Sequence, residues 1–336
     1  MGFDSPLGDK KKNVEMSATK RHIRILLLLA AGLLAGCVRE DPPTPETREE
    51  IRLDASVWQM MQGAPSRRVS TYDNAAALQT EGSFTAAAYV ANSTTAYINP
   101  VAVNWDGTSS KWLFSDGKHY WPASGALDFF AYMPATKPNY ISSITYAVSG
   151  EPATPHPSFE CEDLPLTNVG QPNSLKEFIL ALTAGRTKAM DGVDGVTMAF
   201  KHPFAKIKFQ LSSATTDNVT VTSISMEGLV TSGSCSFDGT TSTWSNKSGS
   251  ETMSISETLR RHATEGTPYL LMVPNEYEDS KNLSVTATWT EWGEEHTETY
   301  TTPLTIEWAA GHSYTYNLTI TRNELIVDVA KYTEQW

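Results

Sequence analysis

Cysteine is scarce. Cys37, Cys161 and Cys235 are the three in 336 residues, far apart in the chain and without paired spacing, which excludes a disulfide framework and a cysteine-based metal site. Long apolar runs are missing too. The one greasy stretch, Ile25–Leu34, gives way to charge at Arg39, well short of the roughly 20 residues a membrane-spanning helix needs. Positive charge is in deficit, with 26 Lys and Arg against 38 Asp and Glu and a net charge of −12. Residues 1–36 hold Lys10, Lys11, Lys12, Lys20, Arg21 and Arg24 against Asp4, Asp9 and Glu15, so from Cys37 onward 20 face 35, a balance of −15. Such a chain is a poor partner for nucleic acid and is not drawn by charge to an anionic membrane surface.

Catalytic patterns are absent as well. From Cys37 onward there is no Gly-rich phosphate loop, HExxH, CxxC, GxSxG or calcium-loop pattern. His119, His156, His202, His262, His296 and His312 are scattered without metal-ligand spacing. His202, at the start of a strand in "FKHPFAKIKF", reads as a structural histidine rather than a ligand. Glu294 and Glu295 in "WGEEH" are adjacent on a turn and cannot straddle a glycosidic bond. Asp191 and Asp194 lack the ligand count of a calcium site. The expectation is a protein that is not an enzyme and carries neither cofactor nor metal.

What is present begins with "LLAGCVREDPP", Leu33 to Pro43. A short basic segment (Lys20, Arg21, Arg24) is followed by an uncharged run that ends in Leu-Ala-Gly-Cys, the order of an export signal. The tetrapeptide resembles the lipobox of bacterial lipoproteins, in which small residues admit a signal peptidase and the cysteine thiol takes a diacylglycerol. Residues 1–36 are therefore expected to be the signal peptide and Cys37 the lipid attachment, with ordinary secretion as the plainer alternative. Residues 1–15 precede the better placed start Met16 and read as an extension outside the working protein. Acyl chains anchor stably when there are two or three, at about 0.8 kcal/mol per buried methylene.

Residues 37–50 are charged, proline-rich and aperiodic, and read as a tether. The 300 residues from Cys37 onward suit two domains of about 150 each, placed at 51–195 and 196–336. "IRLDASVW" alternates Ile51, Leu53, Ala55 and Val57 against polar residues and predicts a half-buried strand. "QGAPSRRVS" around Arg67 and Arg68 predicts an exposed loop. Strands are predicted at "SFTAAAYV", "TAYINPVAV", "KWLFSDGKHYW" and "ALDFFAYMP", with turns at Asp106-Gly107 and Asp116-Gly117. Residues 134–170, rich in Pro, Ser and Thr, predict a surface excursion. "SLKEFILALT" offers both a capping box (Ser174, Glu177) and a short apolar run; a buried strand is favoured. The doubled "DGVDG" at 191–195 reads as punctuation.

Beyond it the alternation is cleaner. "FAKIKFQL" sets Ala205, Ile207, Phe209 and Leu211 opposite Lys206, Lys208 and Gln210. Val285, Ala287 and Trp289 lead into a turn from which His296, Glu298 and Tyr300 return, a hairpin. "SYTYNLTI" and the terminal "ELIVDVAKYTEQW" complete the strand candidates. The fold class is all-β, antiparallel sandwiches with one wet face. Trp105, Trp112, Phe114, Tyr120, Trp121, Phe129, Phe130 and Tyr132 crowd one segment. Their strand spacing favours a core role over a sugar-stacking platform.

Four motifs, "YWPASGALDFFAYMP", "VTMAFKHPFAKIKFQL", "LLMVPNE" and "WAAGHSYTYNLTI", resemble in order and spacing the fimbrillin-like family of Bacteroidales lipoproteins, over nearly all of the chain after Cys37. The resemblance implies two tandem β-sandwich domains of transthyretin-like topology that build type V pili as stalk, tip or anchor subunits. It implies delivery to the outer membrane and cell surface as a lipoprotein, with "RED" after Cys37 similar to a surface-export signal. It also implies cleavage of the N-terminal arm by a trypsin-like protease, release of the first strand, and filling of the groove by a strand of another subunit. On that reading Arg67 or Arg68 is the processing point, against a plain solvated loop pair. Leu325, Val327 and Val329 are donor-strand anchors, against ordinary pairing within their own domain. Partners are other pilus subunits, the outer membrane through the lipid, and a host or bacterial glycan or protein ligand. The competing reading is a surface glycan-binding lipoprotein that never polymerises. Whether Cys161 and Cys235 pair stays open.

Overall fold

The computed structural model describes residues 48–57, 72, 74–166, 175–214, 219–255, 259–260, 269–320 and 325–335. The first strands are β1 (Leu53–Val57), β2 (Ser83–Val90), β3 (Ala96–Asp106), β4 (Lys111–Phe114) and β5 (Leu127–Met133). Next come β6 (Ile141–Thr145), β7 (Val148–Ser149), β8 (Thr154–Pro155), β9 (Ser158–Cys161), β10 (Ile179–Arg186) and β11 (Val196–Phe200). There follow β12 (Ala205–Ala214), β13 (Thr220–Leu229), β14 (Ser232–Phe237), β15 (Ser242–Ser248), β16 (Glu251–Ile255) and β17 (Leu259–Arg260). The last are β18 (Tyr269–Met272), β19 (Asn275–Glu291), β20 (Glu294–Trp308), β21 (His312–Ile320) and β22 (Leu325–Gln335). Two short helices, α1 (Ala75–Glu81) and α2 (Lys188–Asp191), interrupt them. Asn74 caps α1, its side chain accepting from Ala77 N, and Gly82 ends it in the left-handed conformation.

Seven strands form the first sheet, in the order β10-β5-β2-β3-β4-β1-β11. Its two outer strands meet where Leu180 of β10 and Lys201, the residue after β11, exchange backbone hydrogen bonds of 3.1 and 2.9 Å. The sheet thus curls until its edges touch, around a core that takes alternate residues from every strand, among them Leu53, Phe84, Val103, Trp112, Phe129, Ile179 and Phe200. A second sheet runs β15-β14-β9-β6. The third, β18-β12-β21-β22, and the fourth, β16-β13-β19-β20, enclose a sandwich core that includes Ile207, Phe209, Leu283, Val285, Trp308 and Tyr316.

A third core joins these parts. In β18, Leu270 and Met272 face the sandwich core, while Tyr269 and Leu271 face the other way, with Phe204, Phe159, Trp244 and Phe130. β5 divides likewise, with Phe129 and Ala131 in the first core and Phe130 in the joining one. Strands buried on both faces read as continuous apolar runs, which is why "LDFFAYM" and "YLLM" lose their alternation. The capping-box ambiguity resolves the same way. Ile179 and Leu180 serve opposite cores, and Glu177 lies buried, its Oε1 2.8 Å from His202 Nδ1 and its Oε2 accepting from Tyr269 OH at 3.2 Å. Ser174 lies outside the described residues.

Several expectations change. The segment 134–170 is not a mere surface excursion: β6 and β9 lie within the second sheet, and Tyr140, Ile141, Phe159, Cys161 and Leu164 are buried. Its composition is largely polar, yet these five side chains point inward. Lys206 is 2 % exposed, with Nζ 4.3 Å from the Tyr269 ring centroid, so the second face of β12 is covered rather than wet. Two pairs, β1 with β11 and β12 with β21, are parallel within otherwise antiparallel sheets. β11 belongs to the first sheet although it follows residue 195, and β14 pairs back onto β9.

Candidate strand-exchange site

The site begins with alternation. Ile51, Leu53 and Ala55 are 1 %, 6 % and 6 % exposed and point into the first core, while Arg52 and Asp54 point out. The backbone is held on both sides. β1 runs parallel to β11 from Leu53↔Val196 to Val57↔Phe200 and meets β4 at Leu53↔Trp112. Just ahead of β1, Ile51 N donates to His119 O at 2.8 Å and Trp121 N to Glu49 O at 3.0 Å. β1 is thus a stave inside the curled sheet, not its rim.

The turn after α2 fits against it. Val196 N donates to Arg52 O at 2.8 Å. Gly195 has φ +88°, and a Cβ there would lie 3.1 Å from Arg52 O. A side chain would meet the first strand's own backbone, in a conformation that favours glycine. At Gly192 a Cβ would lie 2.6 Å from Lys188 O and would also strike the Glu49 carboxylate. The loop is braced by Asp191, whose Oδ2 accepts from Arg186 Nε at 2.8 Å; this bond, outweighing burial, holds the guanidinium pKa above its ordinary value. Ion pairs at the surface add Lys118–Glu50 at 2.8 Å and Lys188–Glu49 at 3.7 Å. "DGVDG" is therefore more than punctuation: it is the cradle of the first strand. Its paired glycines were visible in the sequence, but their partner 140 or so residues earlier had no local signal.

At the other end, β22 pairs antiparallel with β21 from Ile320↔Leu325 to His312↔Gln335 and forms the rim of its sheet. Leu325 and Val327 pack partly buried against the sandwich core, Ile326 is 46 % exposed, and the Val329 backbone pairs with Tyr316. Cys37, Arg67 and Arg68 lie outside the described residues.

Other candidates take ordinary places. Cys161 and Cys235 are free, buried thiols on neighbouring strands; burial pushes Cys161 up to about 12. Trp112, Trp121, Phe129 and Phe130 are interior, so those rings offer no sugar platform. Among the described residues no group of three or more His, Cys, Asp or Glu could hold a metal ion, and no helix is long and apolar enough to cross a membrane.

Residues 69–336 match the fimbrillin-like family. No curated protein matches the chain. Among solved structures, a candidate cell adhesion protein from Bacteroides uniformis aligns with a TM-score of 0.52 and 14% identity, over 85% of this chain and 100% of that one. A candidate cell adhesion protein from Bacteroides ovatus gives 0.47 and 17%, over 86% and 97%. A fimbrial assembly protein from Parabacteroides distasonis gives 0.40 and 10%, over 85% and 97%. At such identities structural likeness speaks to fold alone, and the family match, spanning more than half of the sequence, carries the assignment: the chain belongs to the fimbrillin-like family.

Proposed function

We propose that this protein is a structural, adhesive subunit of a fimbria, exported as a lipoprotein through Cys37 and assembled by strand exchange at the cell surface. The observation that carries the reading is the seating of β1 between β4 and β11 with alternate side chains in the core. A strand so placed leaves, when it goes, two facing rows of unpaired backbone groups and a line of apolar pockets, the arrangement that strand addition requires. Arg67 and Arg68 follow β1 in the chain, so a cut there would leave β1 in place by non-covalent contacts only. Leu325, Val327 and Val329 repeat every second residue, as Ile51, Leu53 and Ala55 do, and so match the spacing of the vacated pockets.

The first domain ends, on this reading, after β11 rather than at residue 195, because β11 closes the first sheet. Cys37 and the tether hold the subunit to the outer membrane until the arm is cut, or throughout if it is not. Mass spectrometry of the N-terminus of protein taken from assembled fimbriae tests the processing step. The expected species starts directly after Arg67 or Arg68; an intact lipidated Cys37 in every assembled subunit would refute cleavage.

A further inference from the structure

The hairpin of β19 and β20 outruns its sheet. β13 accompanies β19 only as far as Thr220↔Thr288, yet the hairpin continues through Trp289↔His296, Thr290↔Glu295 and Glu291↔Glu294. The overhang is about 10 Å at ordinary strand rise. At its tip, Trp292 and Gly293 have φ of 55° and 89°, the two positive values of a type I′ turn. Asn commonly holds the first of these positions, and a bulky ring is unusual there. The ring is not used for packing: Trp292 is 94 % exposed, and its Nε1 donates to Glu291 Oε1 at 3.2 Å.

We propose that this tip is a contact site for a cationic side chain of a partner protein, an arginine or lysine head group resting on the Trp292 ring. Charge selects the partner. From Leu283 to Trp308 the hairpin has no Lys or Arg, while Glu291, Glu294 and Glu295 cluster at the tip and Glu298 and Glu307 lie further down β20. A desolvated cation over an indole face is the strongest of the common cation–π pairings, and carboxylates beside the ring attract the same ion. A membrane surface fits poorly, because interfacial aromatic anchors work with basic neighbours, and anionic lipid repels this tip. A sugar sandwiched by two rings fits poorly as well, since Trp289 stacks on His296, at 5.6 Å and 19° between planes. The site depends on the hairpin alone and holds whichever way subunits assemble.

The test is titration of the full chain with an oligo-arginine peptide, phosphatidylcholine vesicles and a panel of soluble glycans, followed by Trp fluorescence and calorimetry. Oligo-arginine should bind with an affinity that falls with salt. Trp292→Asn, which suits the turn and so preserves the fold, should weaken it about tenfold, and Trp292→Phe should retain most of it. Glu294→Gln with Glu295→Gln should weaken it less and flatten the salt dependence. Unchanged oligo-arginine binding by Trp292→Asn would overturn the proposal, and so would binding of vesicles or glycans that Trp292→Asn abolishes.

Discussion

β1 lies between β4 and β11 in a sheet whose edges meet, whereas β22 lies at the rim of a four-stranded sheet with β21 as its ladder partner. β1 alternates apolar and polar residues, β22 carries apolar residues at every second position from Leu325 to Val329, and the two differ in what their removal leaves behind. Taking β22 away makes β21 the new rim, one sheet edge exchanged for another. Taking β1 away opens a slot walled by backbone on two sides and floored by the pockets of Ile51, Leu53 and Ala55. An edge accepts a strand along one row of hydrogen bonds; a slot offers two rows and fixes register through its pockets. On the proposed function the first strand serves as a plug and the last as a tab, which is the asymmetry a chain of subunits linked head to tail needs.

The largest expected break in this comparison is Leu53→Ala. It should cost about 2–5 kcal/mol, the range for a buried leucine in a core that relaxes little, measured by urea denaturation. Gly195→Val should cost about 1–3 kcal/mol, from the positive φ and the close approach of the Arg52 backbone. Hydrogen exchange should then show 51–57 loosened and 325–335 unaffected. Leu325→Ala, at the half-buried rim, should cost about 1 kcal/mol; a loss equal to that of Leu53→Ala would remove the distinction between plug and tab. Smallest is Lys118→Ala, an exposed pair with Glu50, which should leave the urea midpoint where it is in the parent.

Alkaline pH sharpens the comparison by testing the body apart from its ends. Burial raises the Cys161 thiol from 9.0 to about 12, so the folded state favours the protonated form. The unfolded chain releases this proton first. The stability due to the thiol is thus complete below about pH 9 and declines as pH rises from there through the folded value. Thermal unfolding between pH 8 and about pH 10 should show this decline, with Cys161→Ala shallower. The Leu53→Ala and Leu325→Ala chains should decline in parallel with the parent.

Alternation made much of the fold legible. The pairing of Val285 with Tyr300, Ala287 with Glu298 and Trp289 with His296 follows directly from the spacing around the Trp292-Gly293 turn. Alternation says which residues share a face but not what covers the other one. Alternation alone puts Lys206 on a wet face, because the Tyr269 that covers it arrives from a strand 60 or so residues later. The parallel partnership of β1 and β11 was illegible because nothing local in "IRLDASV" or "VTMAF" encodes it. The apolar period of β1 and of Leu325 and Val327 was plain, whereas the glycine cradle at 192–195 became meaningful only beside Arg52 and Glu49.

The most direct measurement locks the plug. Asp54 and Thr197 are exposed and directly paired across β1 and β11, so Asp54→Cys with Thr197→Cys places two thiols at strand spacing, about 4.8 Å between backbones. The exported double variant is oxidised or left reduced during assembly, and unboiled samples are run in SDS. The account predicts monomer only when the bond is closed and a ladder of SDS-resistant oligomers when it is open. An equal ladder from the oxidised protein would contradict it, because subunits would then be joining without β1 leaving its slot.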